Sequence, residues 1–144
     1  MKWSGVGRLL VAVVAATALA GCHSSLLTAV TPPTVDLSST FTGQLTASGT
    51  SYQTFLAKPG TVTVSLTSLT PDSTLTITMA IGVYNQYYLT CTDLITNDNT
   101  KVGTSLQGLA TATTALCVRL TDTSGVVPSA GDTYIITVTR VPSI

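Results

Sequence analysis

Glutamate is missing altogether from this chain of 144 residues, and histidine occurs once, at His23. Charged residues make up only 8% of the chain, six basic and six acidic, and every acid is an Asp. Each scarcity excludes a class of chemistry. Hydrolytic triads need a positioned base, and one His near the start of the chain is a poor source. Paired carboxylates could come only from the six Asp, all of which lie near expected turns or strand ends, where Asp commonly shapes the backbone. No spacing points to a Ser-Lys pair, and no Gly-rich phosphate loop is present. No stripe of Lys and Arg offers a footprint for nucleic acid. The expectation is a protein without catalysis, cofactor or nucleic-acid partner.

Long hydrophobic runs are also scarce. The one strong run, Leu9 to Ala20, has 12 residues and follows Lys2 and Arg8. A membrane span needs roughly 20 apolar residues, so this segment reads as a targeting signal. It ends in Leu19-Ala20-Gly21-Cys22, which resembles the lipobox of bacterial lipoproteins. The competing reading is an ordinary secretory signal, but Leu-Ala-Gly fits all three positions before the Cys. The resemblance implies that residues 1–21 are removed and that Cys22 becomes an acylated, palmitate-bearing N-terminus. Membrane lipid, held through Cys22, is then the first partner. Residue 23 is His, not Asp, so in a diderm source the outer membrane is the expected place.

What the mature chain does contain is hydroxyl. After residue 21, Thr occurs 28 times and Ser 13 times. The only Trp, Trp3, leaves with the leader. Thr is β-branched and suits a pleated strand. Its regular alternation with Val, Ile and Leu argues against a disordered stalk. Residues 22–40 read as a lipidated start and tether, with Pro32-Pro33 favouring polyproline II, although Leu26, Leu27 and Val30 could equally form an edge strand.

From Phe41 to the end, period-two runs predict one all-β domain, residues 41–144. Phe41 to Leu45 and Tyr52 to Ala57 are short strands. Val62, Val64 and Leu66 point inward from the next, and Leu75, Ile77, Met79, Ile81 and Val83 from the one after. Lys101 to Leu109 holds at most one short strand. Leu116, Val118 and Leu120, then Tyr134, Ile136 and Val138, line the last two. Seven or eight antiparallel strands at this spacing predict a β-sandwich or jelly roll.

The run FTGQLTASGTSYQTFLAKPGTVTVSLTSL, followed by CVRLTD and GDTYIITVTR, is similar to the bacterial pre-peptidase C-terminal domains. Those are β-sandwich modules that accompany secreted proteases and other exported proteins. The likeness covers roughly residues 41 to 141 and lies in the order of strands and turns. It implies a sandwich and an accessory role, and carries over no catalytic residue.

Three candidate sites remain. Cys91 and Cys117 form an even pair in an exported domain, which reads as a disulfide, since two thiols are too few for a metal. With Leu116 and Val118 inward, Cys117 should face outward. Asp93, Asn97, Asp98 and Asn99 sit in an apparent turn-rich loop and are a weak candidate for Ca²⁺, without the Gly and terminal Glu of an EF-hand; an Asx-rich turn explains them as well. Tyr84, Tyr87 and Tyr88 crowd five positions, and such rings stack on sugars or anchor partners. Alternation sends Tyr87 and Tyr88 to opposite faces, which places one of them in the core. The functional expectation is a lipid-anchored envelope module that binds a glycan or envelope protein. The alternatives are a structural or assembly subunit of an envelope complex, or an accessory to a secreted enzyme.

Overall fold

The structure is a computed structural model that describes residues 37–143. Cys22, the leader and Leu26 to Val30 lie outside those residues. Among the described residues every regular element is a strand. In chain order these are β1 (Leu37–Leu45), β2 (Thr50–Ala57), β3 (Gly60–Thr70), β4 (Ile77–Asn85), β5 (Thr90–Thr100), β6 (Ser105–Ala110), β7 (Thr114–Thr121) and β8 (Asp132–Pro142). They pair antiparallel into two sheets, ordered β1-β8-β3-β6 and β2-β7-β4-β5. Apart from the β4–β5 hairpin, consecutive strands lie in opposite sheets, which is jelly-roll order.

The core comes from the alternation. Val62, Val64 and Leu66 of β3 and Tyr134, Ile136 and Val138 of β8 meet Ile77, Met79 and Ile81 of β4 and Leu116, Val118 and Leu120 of β7. These are the two central strands of each sheet, and each fully buried aliphatic side chain contributes on the order of 1.5–3 kcal/mol. Tyr134 crosses between the sheets: its hydroxyl lies 2.8 Å from Ser51 Oγ and accepts from Gln53 Nε2 at 2.9 Å, both on β2. Opposite it on β1 stands Gly43, where a Cβ would fall 2.3 Å from that hydroxyl.

Register defines two ends. Leu37 pairs Arg140, which pairs Val62, and Gly60 pairs both Ala110 and Pro142. Ala57 pairs Thr114, and Asn85 pairs Thr90. The near end therefore holds the entering chain at Leu37, the Lys58-Pro59 turn, the β4–β5 tip and the β6–β7 loop. The far end holds the other four connections, among them the cis Thr70-Pro71 bond.

At the far end Asp122 closes two loops at once. Its buried carboxylate accepts from the backbone N–H of Ser48 (2.9 Å), Val126 (2.9 Å) and Val127 (3.0 Å). Burial alone would raise its pKa, but those donors, with Gly125, outweigh it and hold the carboxyl below its usual 3.8. A depressed folded pKa stabilises the fold above the ordinary value, and that contribution is lost as pH falls through the folded pKa. Asp122→Asn is therefore expected to melt lower than the parent at neutral pH and to lose less on acidification to about pH 2. Parallel acid limbs in thermal melts of the two proteins would contradict this role.

Three details depart from the sequence expectation. β1 begins at Leu37, so residues 37–40 belong to a strand paired with β8 instead of the tether. The segment around Asp93 to Asn99 is not a loop but most of edge strand β5. The Asx residues sit where register slips between Met79 and Ile77, so their turn chemistry bends a strand without ending it. Val83 lies on the inner side of β4 yet is 39% exposed, because the sandwich is open at its near end.

Candidate functional site

The β4–β5 connection at the near end presents three consecutive large side chains to solvent. Tyr87 is 86% exposed, Tyr88 70% and Leu89 65%. Neither tyrosine is a core residue, contrary to the alternation argument. Strand periodicity stops at Asn85, and a tight tip has no inner face. Asn85 organises this tip, its side-chain oxygen accepting from Tyr87 N (2.9 Å) and Tyr88 N (3.1 Å). The Tyr87 and Tyr88 rings stand perpendicular, with centroids 4.8 Å apart.

Leu89 closes the turn with φ of 52°. Left-handed backbone costs an L-residue with a bulky side chain roughly 1–2 kcal/mol, so this position holds strain as well as exposed apolar surface. Tyr52 of β2 donates from its hydroxyl to the Leu89 carbonyl at 3.4 Å and packs on Tyr84 at 6.0 Å between centroids. Tyr84 is half-buried on the outer face of its sheet, and desolvation beside Tyr52 raises its hydroxyl pKa above 10.0. The site thus has two tiers: Tyr52 and Tyr84 as a base, Tyr87, Tyr88 and Leu89 as a tip. Tyr52 and Leu89 had no signal in the sequence, since one joins through long-range pairing and the other through a backbone angle.

Below this base the outer face is clamped. Cys91 and Cys117 form a disulfide between β5 and β7, although β4 runs between them in the sheet. Arg119 of β7 bonds Asp93 of β5 across the same strand. β4 passes beneath with Ala80 and Gly82, both buried. Cys117 does point away from the core, as Leu116 and Val118 require.

Three of the four side chains weighed for Ca²⁺ already bond within the protein, and Asn99 enters only through its backbone N–H. Asp93 holds Arg119, Asp98 accepts from Thr78 Oγ1 (3.2 Å), and Asn97 accepts from Asn99 N (2.9 Å). Among the described residues no three His, Cys, Asp or Glu side chains gather in a way that could hold a metal. Two apolar hollows flank the near end. One, of about 290 Å³, opens between the free edges of β5 and β6 and is walled by Val62, Ile81, Val83, Leu94 and Leu109. The other, of about 210 Å³, lies between Leu37, Leu56 and the stem of Arg140.

No family model matches this chain, and no curated protein does either. Among solved structures, the chain is similar to PliG of Aeromonas hydrophila, a periplasmic lysozyme inhibitor of g-type lysozyme. That match has 17% identity and a TM-score of 0.47, covering 73% of this chain and 85% of the other.

Proposed function

We propose that this protein is a lipid-anchored, non-catalytic module of the bacterial cell envelope that works by contact through the Tyr84 to Tyr88 hairpin. The observation that carries the reading is the tip itself. Three adjacent large side chains are held in solvent by Asn85 and Tyr52 at the expense of a strained Leu89. Exposed apolar residues on a preorganised backbone are the usual anchors of an interface. Anchoring at Cys22 is the second part of the proposal and rests on the lipobox; intact-mass analysis of the native protein tests it, an unmodified Cys22 refuting it.

Single replacement of Tyr87 or Tyr88 by Ala is expected to leave melting almost unchanged, because neither ring is buried. Tyr84→Ala should lower it by on the order of 1 kcal/mol through loss of the Tyr52 contact. Retention of the protein on isolated envelope material should fall with Tyr87→Ala and Tyr88→Ala. Large melting losses at both positions, with no retention of the parent, would remove the contact reading. The open hollow between β5 and β6, rimmed by Leu94 and Leu109, favours the second reading, assembly with other subunits. Concentration-dependent sedimentation of the parent would support it.

A further inference from the structure

We infer that the near end of the sandwich is a membrane-docking face, and that what the Tyr87-Tyr88-Leu89 tip contacts is the lipid headgroup–acyl boundary. This deepens the contact reading of the same hairpin by naming its partner. Four independent features converge on that end.

Exposed apolar side chains are concentrated there. Leu37, Leu56, Tyr87, Tyr88, Leu89 and Leu109 belong to it, whereas among the described residues the far end has only Val102 and Val126 as large exposed hydrophobics. Scattered exposed Leu residues are ordinary, but a cluster at one pole is not. Amphipathic tyrosine rings with a neighbouring Leu suit the boundary between water and hydrocarbon.

Charge is sorted along the same axis. Lys58 and Arg140 lie at the near end, while Asp72, Asp98, Asp122 and Asp132 lie at the far end with Lys101. Asp93 and Arg119 neutralise each other between them. With Asp36, which directly precedes Leu37 in the sequence, the side chains of the near end carry +1 against −3 at the far end. Such a polarity turns that pole towards anionic lipid and the acidic pole away.

The chain enters at the same pole. Cys22 stands fifteen positions before Leu37 in the sequence, so the proposed anchor joins the domain at this pole.

The shape of the tip also separates lipid from sugar. Sugar binding uses the flat face of a ring, and the perpendicular Tyr87 and Tyr88 rings share no plane. Both rings and the Leu89 side chain that follows them are largely exposed, which suits insertion between headgroups.

Leu89→Asn provides the test, because Asn tolerates the left-handed conformation that strains Leu. The full mature chain with Cys22→Ser would be floated with vesicles of phosphatidylethanolamine and phosphatidylglycerol. The expected result is measurable partitioning, weakened about tenfold by Leu89→Asn while that variant melts higher than its parent, so that loss of folding cannot explain the loss. Tyr87→Ser combined with Tyr88→Ser should weaken partitioning to a similar degree, and Lys58→Gln should reduce the preference for phosphatidylglycerol. No flotation of the parent, or flotation unaffected by the tip variants, would overturn the inference. Tip-dependent retention on lipid-extracted polysaccharide or envelope protein would also overturn it, while leaving the contact reading standing. An unacylated native Cys22 would refute the anchor alone, since the vesicle experiment uses a chain without one.

Discussion

Replacing Cys91 and Cys117 together by Ala is expected to lower the stability of the domain by about 3.5 kcal/mol, the chain-entropy value for closing a loop of this length. Ala is the better replacement, because Cys117 is fully buried and Ser there would bury a hydroxyl. The bridge does more than shorten the unfolded chain. β5 is an edge strand with only β4 as its backbone partner, and its register slips twice along that pairing. The disulfide ties it to β7, one strand further in, beside the Arg119–Asp93 ion pair. Loss of the bridge should therefore show first as faster amide exchange along β5, ahead of global unfolding. The tyrosine tip joins β4 to β5, so envelope or vesicle binding should weaken in the same variant. Equal denaturation midpoints for the oxidised parent and the double variant would rule the bridge out as a stabilising element.

The strands of this fold were largely legible because hydroxyl and aliphatic residues alternate so regularly. Val62 to Leu66, Leu116 to Leu120 and Tyr134 to Val138 each declare an inner and an outer face, and the structure buries those faces. The cysteine pair was legible from parity and from the expectation of export. Elsewhere local chemistry misled. Asn97-Asp98-Asn99 has the composition of a turn, and it does bend the backbone, but pairing with β4 keeps it in a strand. Strict alternation was carried past Asn85 onto Tyr87 and Tyr88, where no sheet remains to give it meaning. Other features depend on residues far apart in the chain. Asp122 meets Ser48 across 74 positions, and Tyr52 reaches Leu89 across 37. Nothing local to those residues records such distances. The polarity between the two ends was hidden for the same reason, since it arises only when the turns are sorted by pole.

Gly82 is the position where this hidden geometry should have the largest effect. It reads as an unremarkable small residue in a strand, and its backbone is not among the positive-φ positions, so another residue would meet no conformational penalty. Space is the constraint. A Cβ at Gly82 would lie 2.2 Å from the Thr92 carbonyl oxygen and 2.7 Å from its carbon. That carbonyl belongs to β5 at the point where Cys91 and Asp93 reach over β4 to Cys117 and Arg119. The backbone of β5 cannot retreat without stretching the disulfide and parting the ion pair. Gly82→Ala is therefore expected to cost about 3 kcal/mol, at the upper end of overpacking effects. In the chain lacking both cysteines only the ion pair holds the edge strand down, and the same substitution should cost only about 1 kcal/mol, a coupling of roughly 2 kcal/mol between sites that never bond. A double-mutant cycle followed by denaturant unfolding measures it directly. Strict additivity would mean that β5 does not close over β4 at Gly82, and with that the clamp beneath the tyrosine base would lose its physical basis.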